Sequence, residues 1–514
     1  MAIQISENGR LFTLHTKNSS YQMFADPFGT LLHLYYGKRT DGENLSDLIF
    51  RTDMGFSGNP PEAGSDRTYS LDYLPQELPS SGVGDYRDDC VRIRHADGSC
   101  AARFLFDSFQ VSKGSYSLPG MPALYDTDAE TGETLTITLR EACSDVRVQL
   151  LYGVFEQADI ITRALKVWNG GQTPVDLEKV LSMSMDIPFG DFDMIYFAGR
   201  HAMERTAERL PVRRAGVRIG SVRGTSSHQY NPAMILCGPN ADEDAGDCYG
   251  FCFVYSGNFT ASAQQDQRNQ TRVQMGIHPD FFSFHLAPGE VFCAPQVILS
   301  YSSRGLTALS RSYHRILREH MCRGPWKHAR RPVLINNWEA TYFDFNREKL
   351  LAIASQAAEL GIEMLVLDDG WFGKRDDDNS GLGDWFVNTE KLGGTLTDLS
   401  EQIHRMGMKF GLWFEPEMVS EDSDLYRAHP DWALTIPGRE PNRGRNQLVL
   451  NMARPDVRDY LLERLTDILS NAKIDYVKWD MNRSICDIFS SCSGTERTGE
   501  LYHRYVLGVY ELLE

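Results

Sequence analysis

The residues able to do chemistry in this chain gather behind four short apolar runs. Val333-Leu334-Ile335 runs into Asn336-Asn337-Trp338-Glu339, and Met364-Leu365-Val366-Leu367 into Asp368-Asp369-Gly370-Trp371. Phe410-Gly411-Leu412 runs into Trp413-Phe414-Glu415-Pro416-Glu417, and Tyr476-Val477 into Lys478-Trp479-Asp480-Met481-Asn482. The set holds carboxylates, amides and indoles. It has no histidine cluster for a metal, no Gly-x-x-x-x-Gly-Lys-[Ser/Thr] phosphate loop and no serine in a Gly-x-Ser-x-Gly elbow. Indole rings pack on the apolar C–H face of a pyranose, while carboxylates and amides bond its hydroxyls. Two carboxylates about 5–5.5 Å apart can cleave a glycosidic bond with retention. Any one of these acids could be a helix cap or a solvated loop residue; four successive strand ends of this kind point to one shared site for sugar chemistry.

The elements that must position them follow from periodicity. Beyond Arg323-Gly324-Pro325 the apolar runs alternate with helical stripes, expected over 346–360, 398–406, 455–472 and 502–513. In the first, Leu350, Leu351, Ala354 and Ala358 share a face and Gly361 can close the end. In the third, Pro455 suits the first helical position and Val457, Leu461, Leu465 and Ile468 form the stripe. Alternating strand and helix predicts parallel βα units, whose strand ends converge as in a (β/α)8 barrel. Lys478 and Asp480 lie two apart on one strand, so their side chains point the same way. The first ~320 residues read mostly as strands. Val91-Arg92-Ile93-Arg94, Leu135-Thr136-Ile137-Thr138-Leu139 and Ile161 to Val167 alternate, and Phe284-His285-Leu286 enters the turn Ala287-Pro288-Gly289-Glu290. Many short strands with turns between them predict a large antiparallel β-sandwich.

Composition bounds the rest. The chain has 514 residues, enough for two or three domains, with 42% hydrophobic and 24% charged residues. A formal net charge of -18 repels phosphate backbones and anionic lipids, which speaks against nucleic acid or a membrane surface as partner. The first residues show neither a basic n-region nor an apolar h-region, so no secretory signal is expected, and no run approaches the roughly 20 apolar residues of a membrane span. The ten cysteines lack Cys-x-x-Cys spacing and read as free buried thiols of a cytoplasmic protein.

The ordered motifs Asn337-Trp338-Glu339-Ala340-Thr341, Leu367 to Gly373, Gly383-Asp384-Trp385, Trp413 to Val419, Lys478 to Arg483 and His503-Arg504-Tyr505 resemble the clan-D α-galactosidases (melibiases) of glycoside hydrolase family 36. The resemblance covers nearly the whole chain. It implies an N-terminal β-supersandwich over 1–322 and, over 323–514, the first four strands of a catalytic (β/α)8 barrel. It implies retaining hydrolysis of terminal α-D-galactosides of the melibiose and raffinose type, with Asp480 as nucleophile and no cofactor or metal. Lys478 would keep Asp480 ionised and donate to sugar hydroxyls. Asp368 and Asp369 would grip O4 and O6 of galactose, Trp413 and Trp338 would form aromatic walls, Asn482 would donate near the 2-hydroxyl and Arg445 would add a further contact. A homo-oligomer, often a tetramer, with sandwich loops near neighbouring sites is also implied.

Other residues take plainer readings. Glu415 and Glu417 are expected to be structural or supporting, Asp376-Asp377-Asp378 a solvated acidic loop, His404 and His429 structural, and Cys486 and Cys492 ordinary thiols. Gly82-Val83-Gly84-Asp85-Tyr86-Arg87 is expected to be a turn, or a loop reaching a neighbouring subunit. The family's acid/base, an aspartate in a Trp-x-Ser-Asp-type segment, and its Cys-containing, Gly-rich sugar-binding loop have no counterpart here. From Val333 to Glu514 there are about 180 residues where a full barrel needs roughly 250. The expectation is a C-terminally truncated fragment of a longer product. Two alternatives stand beside the main reading: an α-N-acetylgalactosaminidase, or a non-catalytic galactoside-binding remnant if the chain ends in nature at residue 514. A galactosyltransferase is a weaker one.

Overall fold

A computed structural model describes residues 2–514. The chain divides into two compact units, one ending at Arg323 and one spanning Gly324–Glu514.

The first unit is built of antiparallel strands. Its largest sheet has ten strands and centres on Val146–Phe155 and Ile160–Asn169, which pair along their full length. Beside them run Glu133–Glu141 and, on the other flank, Gln296–Ser302. Alternation explains the core: Leu135, Ile137 and Leu139 are buried, and so are Val146, Val148 and Leu150 opposite them. Three smaller sheets complete the unit, of four, three and four strands; the three-stranded one joins Val91–Arg94, Val175–Val180 and Phe284–Leu286. One substantial helix, Gly305–His320, stands among the strands and was not marked in the sequence. It packs Leu309 among Ile195, Cys237 and Cys248, and Ile316 among Leu124, Phe155 and Ile298. These two residues lie seven apart, two turns along one face, a helical signal that was present in the sequence.

The first unit also buries charge in pairs. Glu77, wholly buried, accepts the hydroxyls of Tyr21 (2.8 Å) and Tyr152 (2.6 Å) and pairs with His33 Nδ1 (2.7 Å) and Arg163 (3.0 Å). The Gly82 to Arg87 segment is tied down by a second network: Arg272 bridges Asp85 (2.8 Å) and Asp186 (2.7 Å), and Arg87 returns to Asp85 (2.9 Å). Each charge has a partner, which offsets its loss of hydration. Tyr86 between them is left exposed.

The second unit holds four parallel strands in sequential order: β1 (Leu334–Asn336), β2 (Met364–Leu367), β3 (Lys409–Phe414) and β4 (Tyr476–Trp479). Helix α1 (Arg347–Glu359) starts where the Asn346 side chain accepts from Lys349 N, and Gly361 beyond its end takes φ +79°. Helix α2 (Leu396–Arg405) opens with a full capping box between Thr395 and Asp398. Helix α3 (Pro455–Asn471) has Pro455 in its first turn and buries Val457, Leu461, Leu465 and Ile468. Helix α4 (Leu501–Leu513) follows β4. No helix among the described residues is long and apolar enough to cross a membrane. The cysteines are all unpaired, but Cys143, Cys322 and Cys492 are exposed, against the expectation that the thiols are buried.

Candidate active site

The four strand ends bring their polar residues to one end of the sheet because the strands are parallel and in register: Leu367 aligns with Leu412, and Trp413 with Lys478. Asp480 follows β4 directly. Its Oδ2 accepts the indole N–H of Trp413 and the side-chain N–H of Asn482, both at 2.9 Å, while Oδ1 accepts only Met481 N at 3.1 Å. The backbone N–H of Asp480 donates to Phe414 O (2.7 Å), which extends the ladder one residue and fixes where the carboxylate leaves the strand. Trp413 itself is almost wholly buried. It stacks parallel to Phe372 and abuts Trp385, and its carbonyl accepts the indole N–H of Trp371 (2.9 Å). A ring so confined is a rigid hydrogen-bond donor to Asp480 as well as an aromatic surface.

The Asp368-Asp369 pair is divided between two cations. Asp368 Oδ2 accepts Lys478 Nζ (2.7 Å) and Asn336 Nδ2 (2.6 Å). Lys478 thus reaches past β3 to a strand two places away, a backbone separation of roughly 9–10 Å, and its hydrogen bond is to Asp368 rather than to Asp480. Asp369 is gripped by Arg375 through Nε (3.0 Å) and Nη2 (2.8 Å). Burial pushes the Asp369 carboxyl above the usual carboxylate range; Arg375 opposes this, the charge of Asp368 adds to it, and Arg445 pulls weakly the other way. Gly370 follows at φ +102°, where a Cβ would meet Phe343 at 3.0 Å and Arg375 O at 3.2 Å, so the turn after the two aspartates admits only glycine without strain. Arg375 was not singled out in the sequence: beside Lys374 and three aspartates it looks like any surface cation, and only the fold buries it. Asp376 and Asp377 after it face solvent and Asp378 is half-buried, with Asp376 paired to Lys391 (3.0 Å).

Arg445 sits in the turn Gly444 to Gln447, whose ends exchange backbone bonds (3.3 and 3.0 Å). Arg445 (φ +52°) and Asn446 (φ +59°) both take left-handed backbone, the type I′ pattern. The pairing of Met418–Val419 with Leu448–Val449 ties this segment to the end of β3. Trp338 opens a helical turn, Trp338–Thr341, rather than prolonging β1. It lies edge-on to Phe343, over whose face the Arg375 guanidinium rests. Trp338 therefore joins the Asp369 side of the site through two contacts.

Two carboxylates lie beneath. Glu415 is almost fully buried and accepts Asn482 N (2.8 Å) and Gln447 Nε2 (3.1 Å). Burial pushes its carboxyl up to about 7; the Asn482 N–H resists, and the negative charge of Asp480 adds to the rise. Glu417 accepts Trp479 Nε1 (3.0 Å) and Tyr505 Oη (2.6 Å), fastening β4 to α4, and burial raises its carboxyl too. His404 bonds Asp475 (2.8 Å) and His429 stacks on Trp432, both away from these strand ends.

Comparison with known proteins shows the family. Residues 291–514 match the Melibiase family model, and residues 29–287 match the glycosyl hydrolase family 36 N-terminal domain. The chain is 51% identical over its full length to the bifunctional alpha-galactosidase/sucrose kinase AgaSK of Mediterraneibacter gnavus, and spans 54% of that protein. It is 45% identical to the alpha-galactosidase AgaA of Geobacillus stearothermophilus, again over 100% of its own length and 70% of the relative's. The solved galactosidase domain of AgaSK superposes with a TM-score of 0.96, covering 100% of this chain and 70% of that one. A substituted AgaA solved in complex with raffinose gives 0.96 at 45% identity, covering 98% and 70%. On the matched models and on identity over its whole length, the chain belongs to glycoside hydrolase family 36.

Proposed function

We propose that this chain carries the nucleophile half of a retaining α-galactosidase active site acting on raffinose-type α-galactosides. The observation that carries the reading is the setting of Asp480. Two side-chain donors hold one of its oxygens, while the other, Oδ1, accepts only the Met481 N–H. Oδ1 would attack the anomeric carbon as its bond to the aglycone oxygen breaks, the aglycone leaving with that electron pair and taking up a proton, and the galactosyl ester so formed is later cleaved by water with net retention. Trp413 and Asn482 stabilise the carboxylate before attack and orient it without reorganisation.

Asp368 and Asp369, held by Lys478 and Arg375, are the proposed acceptors for the 4- and 6-hydroxyls. A site built to bond an axial hydroxyl leaves buried groups unpaired when the epimer binds, which disfavours glucosides. Lys478 acts mainly by fixing Asp368, and Arg445 closes over the sugar from its turn. Burial raises the Glu415 carboxyl to about 7, yet both its oxygens accept N–H groups below the nucleophile, so its role is positioning and not proton delivery. The four parallel strands are read as the first half of an eight-stranded barrel, and the unpaired cysteines suit a cytoplasmic setting. The complexed relative solved with raffinose supports the substrate class.

The test is covalent trapping. An activated 2-deoxy-2-fluoro-α-galactoside, whose good leaving group removes the need for an acid, should add one glycosyl mass to the chain. Peptide mapping should place it on Asp480, and Asp480→Asn should take up none. A label on another carboxylate, or an inverted product by NMR, would sink the reading.

A further inference from the structure

The turn that carries Arg445 is docked on the loop that follows Asp480, and one side chain makes the central connection. Arg483 lies three residues beyond Asp480, next to Asn482. Its Nη1 donates to Gln447 O and its Nη2 to Asn442 O (3.1 Å), so one guanidinium grips both arms of the hairpin around Arg445. Its Nε returns to Ser484 O (3.2 Å) and Nη2 also touches Cys486 Sγ (3.0 Å), which holds the side chain against its own loop. A planar fork can serve two carbonyls at once; a lysine ammonium, a single point on a flexible stem, cannot match it. Gly444 is shaped to this arginine. A Cβ there would lie 3.1 Å from Arg483 Cβ and 3.4 Å from Nε, so the missing side chain lets the two segments close up.

The remaining ties leave Arg483 this task. Asp487 accepts the N–H (2.7 Å) and Nδ2 (2.9 Å) of Asn442, which reaches only the first arm. Asn446 Nδ2 bonds Asn379 Oδ1 (2.8 Å) at the exposed tip, where water competes. Gln447 is buried and bonds Glu415 (3.1 Å), which anchors only the last residue. Arg445 itself is exposed, and its charge is felt at Asp369. A long side chain on a strained left-handed backbone spreads over many orientations unless that backbone is fixed, and binding must then offset the ordering. Asp480 depends on none of this, because Trp413, Asn482 and Met481 N hold it separately.

We propose that Arg483 is a positioning residue for sugar binding: it clamps the Gly444–Gln447 turn to the nucleophile's loop and so aims Arg445 at the galactoside. The proposal rests on the α-galactosidase reading above and names what makes the Arg445 contact available to it.

The test follows the rate at which the full chain is labelled by the activated 2-deoxy-2-fluoro-α-galactoside as its concentration is raised. Arg483→Met keeps the apolar stem and removes the donors. Its half-saturating concentration should rise about tenfold while the limiting rate holds within about twofold. Arg483→Lys should recover part of the loss, and Gly444→Ala, which pushes the arginine without removing it, should reproduce it; these two carry the comparison if the methionine variant fails to fold. The deciding measurement adds Arg483→Met to Arg445→Gly. The double variant should match Arg445→Gly alone, because the clamp then has nothing to aim. A residue that only staples the fold would add its loss in full, and that outcome would overturn the proposal. An unchanged half-saturating concentration in the single variants would do the same, and so would a fall in limiting rate instead, which would put Arg483 behind Asp480. A wild-type chain that takes no label at Asp480 sinks the α-galactosidase reading and this proposal with it, whereas normal wild-type labelling with indifferent variants sinks the clamp alone.

Discussion

Glu415 shows how a single buried residue ties the site to pH. Its ordinary value near 4.5 rises to about 7, so the folded chain holds a proton that the unfolded chain has lost. For an acid whose folded value is raised, stability falls as pH climbs from the unfolded value to the folded one, here from about 4.5 to about 7. The size of the loss is on the order of 3 kcal/mol. Glu415→Gln replaces the carboxyl by a neutral group of the same shape and cannot titrate. Urea unfolding at pH 4.5 and pH 7.5 should therefore show the variant gaining on the wild type by about 3 kcal/mol as pH rises. Glu417, whose carboxyl is also raised by burial, contributes equally to both proteins and cancels in the difference, while Asp369, whose charge adds to the rise at Glu415, shifts slightly with the substitution. A difference that stays flat across the range would mean Glu415 is ionised in the folded protein.

At the scale of elements, Arg445 occupies a position that its turn does not favour. Left-handed backbone costs a residue with a Cβ roughly 1–2 kcal/mol, and type I′ turns prefer Asn or Gly at both centres. Asn446 fits; Arg445 does not, and strain of this sort is kept where a side chain does something. Arg445→Gly should leave stability unchanged or raise it by about 1 kcal/mol, while KM for an aryl α-galactoside rises about tenfold and kcat changes little. A variant with unaltered KM would free Arg445 from any part in sugar binding. Such a turn could not be read ahead of the structure, because its handedness depends on the pairing of Met418–Val419 with Leu448–Val449. What was legible was local. Met364–Leu367 and Val91–Arg94 form strands over the residues that alternation or an apolar run marked, and α3 begins at Pro455 and buries the four residues of its stripe. Pattern failed where partners decide. Arg375 gains its role from burial against Asp369, Lys478 turns to Asp368 across an intervening strand, and the helix Gly305–His320 was hidden by the surrounding strands despite its Leu309 and Ile316 spacing.

For the 514 residues taken by themselves, the parallel sheet bears on behaviour in solution. Parallel sheets are normally covered on both faces, and an open edge offers backbone groups to another chain. Here Leu334 (44%) and Val477 (37%) on the outer strands are exposed, as is Val333 (54%) just before β1, whose own backbone bonds Glu363 and Met364. Opposing this is a net charge of -18, which keeps copies apart over a distance set by salt. The Debye length shrinks from roughly 30 Å at about 0.01 M salt to roughly 3 Å at about 1 M. Self-association by light scattering should therefore rise steeply with salt, as the repulsion is screened and the apolar edges remain. Val333→Lys with Val477→Lys should suppress that rise, since a lysine on an edge strand must be desolvated for another strand to dock. Single replacements at Phe50 or Phe189, equally exposed but remote from this sheet in sequence and unit, should leave it in place. Association that is as strong at low salt as at high, or that survives both lysines, would place the contact on another surface and leave the sheet edges as passive features of this fold.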